Sequence, residues 1–369
     1  MNKLNSMIAI AFIAVTFAAC KKDSDEPIVV VPPSDGSTLT LNGLVGAELG
    51  SAAGNSVYVD FSTDKQTAVD RDSWDLGFYS GSDFKVILNS TNGASALAVN
   101  KTDINAVSIA DFDANLLKVG QGGGVLTATG TTPVVIDDPR EASIINKPVI
   151  AAISATDLEN KVYIINRKGG TNTVLTNDEL YKVRVIRKGT TGYTLQYAKV
   201  AATTYQTLDI TKNTEANFQF ASLVKGTAVT VEPAKASWDI VWGYSMYWTS
   251  TTSAAGVITQ LPYAFSDLVF INNIGGVTAA SIAVTTSLTY ASFSESNLTG
   301  ITFSSARDVI GSNWRFTTGT AIGVNSNVFY LIKDGVGNVY KLKFVSFISN
   351  DGGTRGKPVI EYKLVKKGS

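Results

Sequence analysis

Histidine is absent from the 369 residues, and cysteine occurs once, at Cys20. These two facts remove whole classes of chemistry. A Ser-His-Asp or Cys-His nucleophile needs an imidazole. A structural or catalytic zinc site draws on histidine and cysteine, and the side chain that titrates nearest neutral pH is histidine. Carboxylate pairs, Ser/Lys pairs and oxygen-ligand calcium sites remain, and none occurs at a recognisable spacing. Asp334-Gly335-Val336-Gly337-Asn338 opens like a calcium loop but lacks the further carboxylates, so it reads as a hairpin turn. Gly120-Gln121-Gly122-Gly123-Gly124 has no strand-then-helix context for a phosphate loop and reads as a loop or hairpin end. The chain is expected to bind rather than to catalyse.

One soft side chain stands out. Met246 is the only methionine beyond residues 1–19, and it lies in an aromatic run, Trp238 to Trp248. Side chains alternate between the two faces of an extended strand. Trp238, Ile240, Trp242, Tyr244, Met246 and Trp248 share one parity, so they are expected to line one side of one strand. Tyr247, and Tyr79 after the similar Trp74, fall on the other parity and are expected to be the more exposed. Two readings stand side by side. The bulky parity can be ordinary core, with Met246 as an adaptable filler. Alternatively Trp242, Tyr244, Tyr247 and Trp248 wall an apolar pocket, with Met246 as a thioether ligand inside it. A flat apolar molecule would stack on such rings, and so would a sugar.

The elements that position these residues begin after a leader. Lys3 precedes an apolar run over residues 7–19, too short to span a bilayer, followed by Ala18-Ala19-Cys20. This resembles the lipobox of bacterial lipoproteins, with Phe17 departing from the usual aliphatic residue. Residues 1–19 are expected to be a signal peptide and Cys20 the lipidated residue, which also accounts for the lone thiol. Residues 20–38, rich in charge, proline and serine, read as a flexible tether. Charges directly after the cysteine resemble surface-export signals of outer-membrane lipoproteins, which points to the outer membrane and its exposed face.

Beyond the tether, Lys plus Arg and Asp plus Glu number 31 each, so no basic face is offered to nucleic acid. Gly, Ser, Thr, Val, Ile and Tyr dominate and helical periodicity is scarce, the composition of short strands joined by turns. A pattern occurs twice. Ser73-Trp74-Asp75-Leu76 matches Ser237-Trp238-Asp239-Ile240, and about a hundred residues further on Tyr181-Lys182-Val183-Arg184 matches Tyr340-Lys341-Leu342-Lys343. Two markers in the same order at nearly the same spacing predict an all-β chain of two tandem antiparallel domains, 39–203 and 204–369, with a boundary uncertain by ten residues.

The Trp-Asp-aliphatic strand followed by an Asp-Gly turn and a Tyr-Lys-aliphatic-basic strand resembles the HmuY family. The residues that carry the resemblance are Ser237-Trp238-Asp239-Ile240-Val241-Trp242, Asp308-Val309-Ile310-Gly311-Ser312-Asn313-Trp314, Asp334 to Phe344, and Asp351-Gly352-Gly353-Thr354-Arg355-Gly356. The first copy matches more loosely. The resemblance implies heme-binding outer-membrane lipoproteins of all-β fold that hand their ligand to a TonB-dependent transporter. It also implies histidine or methionine ligands to the heme iron, and here the sequence departs. With no histidine and one mature methionine, a two-histidine or two-methionine site within the chain is impossible. Met246 is then the candidate iron ligand, opposite an open position, a water, or a tyrosinate such as Tyr244 or Tyr247. Glycan capture on Trp and Tyr platforms, and a scaffold or adhesion role without a ligand, are the alternative functions.

Overall fold

Strand propensity decides the secondary structure. The computed structural model describes residues 32–119, 135–140, 144–169, 175–252, 255–256 and 258–368; among these there are β-strands and short 3-10 turns but no α-helix. The expected signal peptide, Cys20, most of the tether and the 120–124 glycine run lie outside the described residues. The strands are β1 (Gly36–Thr40), β2 (Asn55–Asp60), β3 (Lys65–Asp70), β4 (Leu76–Tyr79), β5 (Val86–Leu88), β6 (Ser95–Val99), β7 (Val162–Asn166), β8 (Tyr181–Lys188), β9 (Gly192–Lys199) and β10 (Gln206–Thr211). They continue as β11 (Phe218–Ser222), β12 (Thr227–Val229), β13 (Ile240–Thr252), β14 (Ile258–Ile271), β15 (Thr278–Ala283), β16 (Arg315–Phe316), β17 (Gly323–Val324), β18 (Val328–Lys333), β19 (Val339–Ser346) and β20 (Val359–Lys366).

Four larger sheets form, all with antiparallel pairing: β10-β9-β8-β7-β6, β12-β11-β4-β5, β14-β13-β2-β3 and β1-β20-β19-β18-β15. Their apolar faces stack them in that order. Leu76, Phe78 and Val86 of the second sheet meet Tyr181, Val183 and Tyr193 of the first in one core. Val57, Ile240 and Trp242 of the third meet Tyr330, Tyr340 and Tyr362 of the fourth in another. Phe218, Phe220 and Ile87 of the second meet Tyr58, Val241 and Phe270 of the third in a core between the two sandwiches. The inner strands are therefore buried on both faces. In β2, Val57 and Val59 point into one core and Tyr58 into the other, which follows from the two-residue period of a strand. Each such large apolar side chain contributes roughly 1.5–3 kcal/mol.

The two sequence markers occupy equivalent places in the two sandwiches. Trp74 and Trp238 stand just before β4 and β13, and each packs edge-on against a ring from a distant strand. The pairs are Trp74 with Phe220 at 4.8 Å and Trp238 with Tyr58 at 5.0 Å between centroids. The aspartate of each marker closes the corner. The Leu223 amide donates to Asp75 Oδ2 at 2.6 Å, and the Phe61 amide donates to Asp239 Oδ2 at 2.8 Å. The lysine of the second marker is buried and donates to carbonyls: Lys182 to Val107 and Ala202, Lys341 to Tyr290 and Phe293. Tyr181, Val183 and Val185 share one core, as their alternation predicts.

The strand pairing groups the chain differently from a division at 203/204. β10, β11 and β12 join β4–β9 in the first sandwich, whereas β1, β2 and β3 join β13–β20 in the second. Residues 33–369 form one compact unit. The packing divides at the Ser-Trp-Asp corners, and the second sandwich is completed by strands from the start of the chain.

Two expected outcomes test this arrangement. Trp238→Ala removes a buried ring at the central core and is expected to cost about 3–5 kcal/mol in urea unfolding. A chain beginning at Arg71 lacks β1–β3, leaving β20 and β13 short of partners. Limited proteolysis should then cut within residues 240–366 while 76–229 stays protected; equal protection of both would refute the closure.

Candidate functional site

The candidate residues converge on one hairpin. β13 and β14 have 13 and 14 residues, whereas β4 and β5, which follow the equivalent corner, have 4 and 3. Only Ile240, Val241 and Trp242 of β13 pair with β2. From Ser245 onward β13 pairs with β14 alone, and this outer half is called the arm.

A β-bulge separates the arm from the inner half. The register shifts between Gly243 and Ser245, and Asp267 on the opposing strand takes φ 57°, a left-handed conformation unusual for a non-glycine residue. Its surroundings hold it there. Arg355 donates to Asp267 Oδ2 from Nε at 3.1 Å and from Nη2 at 2.9 Å, Arg315 Nε lies at 3.7 Å, and the Trp314 indole donates to the Asp267 carbonyl at 2.9 Å. Burial raises the Asp267 carboxyl, and the two guanidinium groups oppose that rise.

Beyond the bulge the two faces of the arm differ. On one, Tyr247 stacks on Phe265 at 4.2 Å with the rings 6° apart, and Tyr263 tilts against Phe265 at 4.5 Å. The Arg140 guanidinium covers Tyr247 at 3.9 Å and donates to the Trp248 carbonyl. On the other face Met246 packs with Val119, Val135 and Ile136, beside Leu97, Trp248 and Ala264. At the bulge, half-buried Tyr244 lies under Arg71, at 4.4 Å. Tyr244 also lines a cavity of about 40 Å³ between the inner sheets, with Tyr58, Trp74, Phe220, Glu232 and Arg307. That volume suits a few waters. Burial pushes the Glu232 carboxyl up to about 7 and leaves its Oε2 without a hydrogen-bond partner, while Arg307 donates to the Pro139 carbonyl at 3.2 Å.

The expected single aromatic wall is corrected by this geometry. Trp238 precedes the strand and packs in the central core; Trp242 is fully buried in the core of the second sandwich; Met246 and Trp248 share a small cluster on the arm. Tyr247, expected among the exposed residues, is buried, and Tyr79 is half-buried against Phe218. Shared parity ensures a shared side only along a regular strand, and here the run starts before β13 and crosses a bulge. The arginines that cover the tyrosines gave no sequence signal, because Arg71 and Arg140 are remote in the chain. Tyr263 and Phe265 did carry one, as the alternation Tyr263-Ala264-Phe265 marks a strand with an aromatic face.

Among the described residues no group of three or more His, Cys, Asp or Glu could hold a metal ion, and no helix is long and apolar enough to cross a membrane. The stacked antiparallel sandwiches with one elongated aromatic hairpin define an all-β protein. Residues 52–362 match the family model described as HmuY protein, one match that runs through both sandwiches, and the chain belongs to the HmuY family. That is a family of heme-binding proteins of the cell envelope, not of enzymes. No curated protein and no solved structure matches the chain.

Heme iron is held in proteins by histidine, cysteine, methionine or tyrosine, and the candidates named from the sequence do not fit that role. Histidine is absent, Met246 is only 1% exposed, and burial raises the phenols of Tyr244 and Tyr247, the latter to about 12.

Buried carboxyls set the pH response. Burial, with Asp60 and Asp334 nearby, raises Asp239 to about 8 against the Phe61 hydrogen bond; burial likewise raises Asp137 to about 7. The folded state therefore holds protons that the unfolded chain releases near its ordinary carboxylate value. That stability is complete below about pH 4 and is lost as pH rises towards about 8. The melting temperature is expected to fall across this window, and Asp239→Asn, which keeps the Phe61 contact, is expected to flatten the fall.

Proposed function

We propose that this protein is a lipid-anchored binding protein of the outer membrane that captures heme, or a related flat apolar ligand, for uptake. The observation that carries the reading is the family match over residues 52–362. Lipid attachment at Cys20 is supported by the apolar run over residues 7–19 and the absence of any other cysteine. The expected tether ends earlier than residue 38, since Gly36–Thr40 pair with β20 and the compact unit starts at Pro33. A tether over residues 20–32 would leave the folded part free to reach a neighbouring transporter of the TonB-dependent class.

We assign the ligand contact to the arm. It is the feature by which the second sandwich departs from the first, and its rings and apolar side chains exceed what pairing two strands requires. Tyr263 and Phe265 on one face of the arm, Trp248 on the other and Tyr244 at the bulge are half-buried and offer ring surface. The glycan reading finds less support, because Trp74, Trp238, Trp242 and Trp314, four of the five tryptophans, are buried in the cores.

Titration of the mature chain with heme tests the reading. A saturable, stoichiometric Soret change is expected, with parallel quenching of tryptophan emission. A change equal to that of free heme in buffer would sink it.

A further inference from the structure

We propose that the ligand is recognised through its ring and its acidic side chains and not through a metal, so that an iron-free tetrapyrrole binds as well as its iron complex. This rests on the reading of the arm as the ligand contact.

The inventory of iron ligands is the first ground. Cys20 precedes the folded unit and lies 16 residues before β1, which leaves methionine and tyrosine. Met246 is enclosed by Val119, Val135, Ile136 and Leu97, all aliphatic, so its sulfur serves as packing. Neither tyrosine of the arm's base is presented to a metal. Tyr247 is buried, its ring held between Arg140 at 3.9 Å and Phe265 at 4.2 Å, so an iron at the centre of a bulky ring cannot be brought to its phenol oxygen. Tyr244 sits half-buried beneath Arg71, at 4.4 Å, and its burial favours the neutral phenol, a poor iron ligand.

The second ground is what the same place offers instead. Arg71 donates to the backbone carbonyls of Ala53, Thr91 and Ala52. Among the described residues no carboxylate lies within ion-pair distance of it. Three donors anchor it, and of the five that a guanidinium carries two remain; Asp70, Glu48 and Asp72 act on its charge only from beyond ion-pair distance. A planar guanidinium fixed by its other hydrogen bonds is suited to a carboxylate. Arg140, by contrast, is paired with Asp138 at 2.9 Å. The cavity of about 40 Å³ under Tyr244 is far too small for a tetrapyrrole. The ring would therefore lie on the face of the arm that carries Tyr247, Phe265 and Tyr263, stacked on Tyr263, whose phenol could not then also be its axial ligand, with an acidic side chain reaching Arg71.

The test is a parallel titration of the mature protein with iron(III) protoporphyrin and iron-free protoporphyrin, read by tryptophan quenching and by absorbance in both oxidation states. Met246→Leu, a volume-conserving change, and Arg71→Gln are titrated alongside, with melting curves to verify folding. The two affinities are expected to agree within about threefold. Met246→Leu should leave both unchanged, and Arg71→Gln should weaken both equally, by about tenfold. Iron protoporphyrin binding more than about tenfold tighter than the iron-free ring, with the difference lost in Met246→Leu, would overturn the proposal while leaving heme capture intact. Binding of neither ring would overturn both. Unchanged affinities in a folded Arg71→Gln protein would remove the carboxylate contact and overturn the proposal as stated.

Discussion

Two buried carboxylates hold together strands that are far apart in the chain. Asp75 and Asp239 each stand at the corner where a tryptophan enters the central core. Each accepts an amide proton from a strand of distant sequence origin, Leu223 after β11 and Phe61 after β2. A buried amide left without an acceptor is costly, so these bonds favour one register for each central sheet. The corners are alike in geometry and unlike in charge. Asp75 is met by Arg167 Nε at 2.5 Å, whereas the surroundings of Asp239 include Asp60 and Asp334. One corner is an ion pair, and the other keeps its carboxyl protonated near neutral pH.

The sandwiches differ again where function is assigned. The hairpin of β4 and β5 ends within the stack, while that of β13 and β14 continues past a bulge. A bulge changes the twist and re-aims the side chains beyond it. This one is held by Asp267, whose positive φ is stabilised by Arg355, Arg315 and Trp314. The arm then carries aromatic side chains on one face and aliphatic ones with Met246 on the other. The chain belongs to the HmuY family, a family of binding proteins, and the arm is the element to which we assign the ligand.

Family and residue inventory pull apart over the metal. The family is one of heme-binding envelope proteins, yet histidine is absent, Met246 is enclosed, and Tyr244 and Tyr247 lie under arginines. Apolar walls and guanidinium groups recognise flat acidic molecules with no metal bond. A binding protein can thus keep the ring-recognising part of its function without an axial ligand.

Much of this was legible in the sequence. The absence of histidine excluded most catalytic chemistry, and composition with period-two alternation established the all-β class. The Ser-Trp-Asp and Tyr-Lys markers located corners and long strands, because a buried carboxylate and a buried lysine each need particular partners and so leave a fixed local signature. The period of the pattern could be read, but not where a sandwich begins. β1 pairs with β20, so the start of the chain completes its end, and local sequence carries no record of pairing over that distance. The aromatic run was legible as residues and not as a wall, since the bulge and the late start of β13 distribute it among separate clusters. The arginines over Tyr244 and Tyr247 come from remote loops. Contacts of that kind depend on how sheets stack, which long-range packing decides and residue order alone does not display.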